Sequence, residues 1–494
     1  MFDARWLVFV SLFLSSAACL RAAKTSGPQS QENQRWYATE RDVPPLELKY
    51  HSALTPFPKG EEMRKKLCFG FDSQRSQDFD KVRQVFCQAN VPVIQSLRDL
   101  QTALGLAIPD KTPRGRDFNG QPGVTPGWAL TGHSTSLVAR FVSPINPRVI
   151  LFTAPKDANT AMTDFVVMGF VRGDQFVELI AREPKSGKLN FFLVEFTQAC
   201  NENGHCSTGH LQSAAIESQW QAITIYEDIY LSNTVFDCTH CHQPEGPLTD
   251  KMLRLQEMDR PWSHFYRDDT QGQDLIQMFR DFHGPDEGVG GVPAHLISSS
   301  DPEKLVWLLK ANGFGEQPNR FASAVIEQEV QKDKGPGQAW LQGWDRFIKG
   351  ETIAFPSWAN SILDTNRWGD VKTRWKAATT VESRPDLREA LDDRLSASYG
   401  ARAPQNATGQ ELLALACQRC HNQKLDSTLG KSLFRADQNP QERSALNAKN
   451  AIDRLEILRK DPANPLAMPP RLFMDLTGPE IDLIIQELKA GRAL

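Results

Sequence analysis

One pentapeptide, present twice, constrains this chain more than any other feature: Cys238-Thr239-His240-Cys241-His242 and Cys417-Gln418-Arg419-Cys420-His421. Two thiols spaced as Cys-x-x-Cys lie on one helical turn, where each can bond a vinyl group of a haem while the adjacent imidazole comes up beneath the iron. The competing use of Cys-x-x-Cys is a zinc clip. A zinc ribbon, however, needs a second pair close by in the same small domain and has no role for the trailing His. The motifs therefore predict two covalently bound haem c groups, attached through Cys238, Cys241, Cys417 and Cys420, with His242 and His421 as iron ligands.

The second copy has further order around it. Thr408-Gly409-Gln410-Glu411 has the spacing of a capping box and opens an apolar helix, Leu412 to Ala416, that delivers Cys417, Cys420 and His421. Met468-Pro469-Pro470 follows. Thr477-Gly478-Pro479-Glu480 then repeats the capping pattern and opens a last helix with Ile481, Ile484, Ile485 and Leu488 on its buried face. This order resembles a class I c-type cytochrome domain over residues 401–494. The resemblance implies that Met468 is the distal iron ligand, with Met474 as its rival, and that the last helix packs across the first. A thioether is a soft, neutral ligand that favours ferrous iron, so a His/Met pair raises the potential and leaves no open position.

The first copy heads what resembles a diverged repeat, residues 233–400, which would be a cytochrome c-like domain with an insertion. Ser300-Asp301-Pro302-Glu303 matches the later capping pattern, and Leu305, Val306, Leu308 and Leu309 continue an apolar helix. Projecting Met468 back lands in Gly288-Val289-Gly290-Gly291, so the corresponding Met is missing. His283 and His295 are the candidate iron ligands there, with Met278 also in reach. His283 is preferred because it ends the helix-like run Leu275 to Phe282 and precedes a glycine-rich loop. A second His would give a lower potential than Met, and no ligand would leave the iron open. The insertion carries Trp340, Trp344, Trp358, Trp368 and Trp375, which read as core or seam filling rather than as electron relays.

Upstream, residues 1–23 read as a secretory signal: an early Arg5, an apolar run too short to span a bilayer, then small residues. Cys19 is either a lipidated N-terminal cysteine or part of a cleaved leader; the position three before it is Ser16 rather than Leu. No later stretch has the length of a transmembrane segment. Residues 24–45 are a polar tether. Residues 46–120 show helical periodicity in Phe79, Val82, Val85 and Phe86, then in Val93, Ile94, Leu97, Leu100 and Leu104. Residues 121–232 change character: Leu137–Val142, Val149–Thr153, Phe165–Val171, Gln175–Ala181, Leu189–Phe196 and Ala222–Leu231 are runs rich in Val, Ile and Phe, broken at Gly173-Asp174 and Lys185-Ser186-Gly187. That is the pattern of an antiparallel meander. The predicted fold class is multidomain α+β, a helical segment and a β-meander domain followed by two all-α cytochrome c-like domains.

Of nine cysteines, four belong to the pentapeptides. Among the rest, an oxidising compartment favours pairing Cys68 with Cys87 and Cys200 with Cys206. Export to the periplasm also suits the resemblance, since covalent haem attachment in such bacterial families takes place outside the cytoplasm. A net charge of −4 argues against a nucleic-acid partner. Thirteen Lys and Arg against eleven Asp and Glu in the last 94 residues supply no one-sided field that would identify a partner. The leading expectation is an exported dihaem electron carrier working between a redox-protein donor and acceptor. A dihaem peroxidase-like oxidoreductase, with chemistry at the first haem, and a haem-based redox or gas sensor are the alternatives.

Overall fold

The computed structural model describes residues 54, 56–109, 126–132, 142–159, 161–202, 204–231, 236, 238, 242, 251, 253–254, 265–267, 273–311, 315–316, 346, 349–351, 365–390, 406–417, 421, 434–436, 438–439, 441–461, 467–469 and 476–490. The expectations for Cys19, Cys241, Cys420 and Met474, and for the leader and tether, lie outside them.

At the centre is a six-stranded antiparallel sheet in sequential order: β1 (Pro126–Thr131), β2 (Arg148–Thr153), β3 (Val166–Phe170), β4 (Phe176–Arg182), β5 (Leu189–Gln198) and β6 (Trp220–Glu227). The meander forms for the expected reason. β-Branched and aromatic residues fill the strands, and the two turns bend at Gly173 (φ 124°) and Gly187 (φ 73°), where a side chain would be strained. Ala222–Leu231 is a strand only as far as Glu227, and Asp228–Leu231 turns into a short helix. The expected strand at Leu137–Val142 lies outside the described residues except for Val142. β1 was not among the expected strands, because Pro126 and Gly127 interrupt its propensity. Gly127 is needed there: it lies opposite Phe152, and a Cβ at 127 would stand 2.5 Å from that ring.

Strand residues alternate between faces, so the sheet separates two apolar layers. Trp128, Leu130, Val149, Leu151, Val194 and Phe192 belong to the first; Ala129, Ile150, Phe152, Val167 and Phe191 belong to the second. Helices α2 (Lys81–Phe86) and α3 (Leu97–Leu104) bury Val82, Phe86, Leu97, Leu100 and Leu104 in the first layer. Asp80 caps α2 by accepting from Arg83 N–H (3.0 Å), and its other oxygen accepts from Asn190 of β5 (3.0 Å), so the cap also ties the helix to the sheet. Helix α1 (Gly60–Leu67) lies against β6 and is joined to α2 by the Cys68–Cys87 disulfide; Cys200–Cys206 closes the loop after β5. Both expected pairings are present.

The described part of 233–400 is built onto this sheet as well. Helix α4 (Gln273–His283) and helix α6 (Thr365–Ala377) add Leu275, Phe279, Phe282 and Trp375 to the first layer. Helix α5 (Pro302–Ala311) adds Leu305, Leu308 and Leu309 to the second. The chain passes from one face to the other around the β1 edge, where Asp301 N–H donates to Trp128 C=O (2.8 Å) and Tyr266 N–H to Leu130 C=O (3.0 Å). The cap of α5 differs by one residue from the Ser300 pattern. Asp301 Oδ1 accepts from Lys304 N–H (3.1 Å), because the Ser300 hydroxyl is occupied by Leu130 N–H (2.8 Å). Trp375 is buried and Trp368 packs against the same layer, as expected for core filling; Trp340, Trp344 and Trp358 lie outside the described residues.

Residues 406–490 have a core of their own. Helices α7 (Gly409–Cys417), α8 (Ala445–Lys460) and α9 (Gly478–Lys489) bury Leu412, Leu413, Leu455, Leu458, Ile481, Ile484, Ile485 and Leu488 together. Both capping boxes form. Thr408 N–H donates to Glu411 Oε2 (2.8 Å) while Glu411 N–H donates to Thr408 Oγ1 (3.3 Å). At α9 the same exchange runs between Thr477 and Glu480 (2.6 and 3.5 Å).

Candidate functional site

The first Cys and the His of each pentapeptide are joined as the chemistry of Cys-x-x-Cys-His requires. His242 N–H donates to Cys238 C=O (2.9 Å) and His421 N–H to Cys417 C=O (2.8 Å). Each is a bond between residues four apart, one turn of α-helix, so the first Cys and the His of each motif share a face. The other four described cysteines are consumed in disulfides, whereas Cys238 and Cys417 are not. The donors described at each motif, one thiol and one imidazole, are of the types that fit haem attachment.

The first motif lies on the second face of the sheet. Phe236, two residues ahead, packs its ring against Phe176 of β4 (4.9 Å between centroids), and Cys238 contacts the layer that includes Phe191 and α5. The His242 imidazole sits 4.7 Å from the Phe191 ring, tilted 33° from it. On the same ring, Lys251 Nζ stands 5.8 Å from the centroid and pairs with the buried Asp228 carboxylate (2.6 Å).

His283 is in a different place. It ends α4 on that helix's buried stripe, one turn after Phe279, and packs between Phe279, Phe282 and Trp375 in the first layer. Its Nε2 is 2.7 Å from Ile145 C=O, so the ring is held as the donor tautomer on that nitrogen. Burial, reinforced by the Arg172 charge, pushes its pKa down to about 3. The structure does not bring His283 to His242, because the sheet lies between them; Met278 also packs in the first layer. The turn holding His295 (Ala294–Leu296) is anchored on the His283 side, where Leu296 is buried and its carbonyl accepts from Trp128 Nε1 (3.2 Å). The glycine-rich segment between them is pinned rather than folded over the other face. Arg172, itself buried, bonds Glu217 (2.7 Å), Glu287 (2.8 Å) and Gly288 C=O (2.8 Å), and Gln101 bonds Gly290 C=O (2.8 Å).

No family model, curated protein or solved structure matches this chain.

The second motif stands at the end of α7. His421 C=O accepts from Ala436 N–H (2.9 Å), and its ring is 5.7 Å from that of Phe434. Arg443, buried, holds the same segment by donating to Ala436 C=O (3.1 Å) and Gln438 C=O (2.8 Å). Met468 follows the buried Ala467, which belongs to the core shared by α7 and α9. The last helix does pack across the first, and Gly409 is what lets it: a Cβ there would stand 2.6 Å from Leu483 C=O. Phe191, Phe434 and Arg443 were not singled out from the sequence. A lone Phe in a strand reads as core, and only the fold places it beside an imidazole.

Proposed function

We propose that this chain is an exported dihaem c-type cytochrome that passes electrons between redox-protein partners. The observation carrying the proposal is the backbone bond from the His to the first Cys of each pentapeptide, which sets an imidazole and a thiol one helical turn apart at both places. In this reading Cys238, Cys241, Cys417 and Cys420 form the thioethers, and His242 and His421 are the proximal ligands. Met468 completes the coordination of the second iron in a class I cytochrome c-like domain, residues 401–494. Bound there, haem supplies one-electron chemistry at a potential set by the axial ligands and their surroundings. The chain's own residues do the rest: α7 and α9 enclose the second site in an apolar core, and the sheet and α5 wall the first. His283 is left out, its nitrogen held by Ile145 in the opposite layer. Among the described residues no helix is long and apolar enough to cross a membrane, so a membrane partner would be met from outside the bilayer or through a lipid on Cys19.

The test is maturation with haem-attachment machinery. Two haems per chain should resist extraction by acidified organic solvent, and replacing Cys238 and Cys241, or Cys417 and Cys420, by Ala should each remove one. A colourless product, or pigment that extracts, overturns the proposal.

One observation favours a second reading, a dihaem peroxidase-like oxidoreductase. With His283 turned into the other layer, the first iron lacks its preferred distal ligand. A high-spin first haem that turns over hydrogen peroxide with an electron donor would establish that reading; two low-spin irons without turnover would leave electron transfer.

A further inference from the structure

Phe191 and Phe192 are consecutive in β5, both 2% exposed or less, and face opposite sides of the sheet. Phe192 packs in the layer of α2 and α4, with the Arg83 guanidinium 5.7 Å from its centroid. Phe191 faces His242. Its backbone is locked opposite Ile180 in the β4–β5 ladder, and its ring has two close neighbours, the imidazole at 4.7 Å and Lys251 at 5.8 Å, the latter paired with Asp228, which is 2% exposed. At His421 the ring described beside it, Phe434, is more distant at 5.7 Å and comes from outside any helix or strand.

We propose that Phe191 is a positioning residue that sets the plane of the His242 imidazole, so that the β-sheet is the proximal wall of the first haem. The proposal rests on the reading that His242 ligates haem iron. A group that fixes a ligand's orientation tunes the metal it holds, because the imidazole plane governs its overlap with the iron orbitals and therefore the iron's spectrum and potential. Among the described residues, the sheet supplies that orientation at the first iron. The β domain then has a direct task in the electron-carrying site, and the two haems differ through their proximal as well as their distal sides.

The experiment uses the full-length, haem-loaded protein and compares Phe191→Leu with Phe192→Leu, a substitution of the same chemistry on the opposite face. Phe191→Leu should keep two covalent haems per chain and shift or broaden the EPR signal of one oxidised iron, with a matching shift of one midpoint in an optical redox titration. The other iron should be unmoved, and Phe192→Leu should alter neither. Phe191→Tyr keeps the ring and should restore the parental signal, which a merely structural role would not require. Phe191→Met, which preserves an apolar side chain of similar length without the ring, guards against misfolding of the Leu variant and should shift the same iron. Parental spectra in the Leu and Met variants overturn the proposal, as do equal shifts from the Phe192 control. A parent protein with no covalent haem overturns the reading beneath it and is recognised before any variant is made.

Discussion

The turn at Cys238 leans on a six-stranded sheet, whereas the turn at Cys417 ends a helix that, among the described residues, shares a small core with α8 and α9. Locally they are alike, each closed by one His-to-Cys backbone bond of 2.8 or 2.9 Å. Their supports differ in kind. At the first, alternation along β5 delivers an aromatic ring to the imidazole, and the sheet that does so is itself held by buried charge. At the second, two capping boxes and a glycine contact set how helices cross. The same pentapeptide can thus stand in two different settings, and the setting decides how rigidly, and from which side, its His is held.

If the two supports are separate, each should be breakable without the other. The largest effect is expected at Arg172, whose guanidinium is 2% exposed and holds Glu217, Glu287 and the Gly288 carbonyl. Arg172→Leu leaves two carboxylates without their cation, a loss of about 3–5 kcal/mol in unfolding free energy. All eleven tryptophans precede residue 401, so urea unfolding followed by tryptophan fluorescence reports the sheet and not the C-terminal helices. The fluorescence midpoint should fall while the protection of backbone amides in 406–490, followed by hydrogen exchange, stays in place. Parallel movement of both would join what the packing separates.

The reverse experiment is Gly409→Val. Its Cβ would meet Leu483 C=O at 2.6 Å, a backbone atom that cannot swing aside. Overpacking of this sort costs about 1–3 kcal/mol. Amide protection in the C-terminal helices, followed by hydrogen exchange, should fall and the tryptophan signal should not. Weakened coordination by Met468, read as loss of the sulfur-to-iron charge-transfer band, would accompany it if the crossing of α7 and α9 positions that ligand.

One acid-sensitive contribution lies on the sheet side. His283 has a folded-state pKa of about 3 against an ordinary value of 6.5, so between these values the unfolded chain carries a proton that the native one lacks. Stability therefore rises with pH across that window and is lost as pH falls below about 6.5, at up to about 1.4 kcal/mol per unit. Above it the group contributes no pH dependence. His283→Gln should flatten the slope of the tryptophan-monitored stability between pH 6 and 4 and leave the slope for the C-terminal helices unchanged. An unaltered slope would mean that the imidazole is not buried as a neutral donor to Ile145.

How far all this was legible from sequence follows from the range of the interactions involved. While β1, interrupted by Pro126 and Gly127, did not announce itself, the strands β2 to β5, both capping boxes, both disulfide pairs and the buried face of α9 depend on neighbours within about twenty residues or on simple alternation, and they appear as expected. The placement of His283 did not. Its helix was legible, but which layer that helix joins depends on the chain crossing the β1 edge at Tyr266 and again at Asp301, contacts more than a hundred residues from the strand. The same long reach hid Phe191. The cap of α5 slipped by one residue because Leu130, not the helix, claimed the Ser300 hydroxyl.

The smallest expected effect sharpens the comparison most, because it perturbs one support without leaving a hole. Thr477 accepts from Glu480 N–H, and Glu480 accepts from Thr477 N–H and its hydroxyl (2.8 Å), all at the exposed start of α9. Thr477→Ala removes the cap and should cost about 1 kcal/mol. The buried residues Ile481, Ile484, Ile485 and Leu488 are untouched, so any change at the second iron would come through the seating of α9 alone. Thr408→Ala does the same to α7, which carries Cys417 directly, through the hydrogen bond from Glu411 N–H at 3.3 Å. If helix seating sets the second site, the two losses should be similar in stability, but only the α7 variant should disturb the His421 side, seen as a shift in the oxidised EPR signal of that haem. Equal spectral shifts from both would mean that the three-helix core responds as one body, and the contrast with the sheet-held site would then lie in rigidity rather than in which element does the holding.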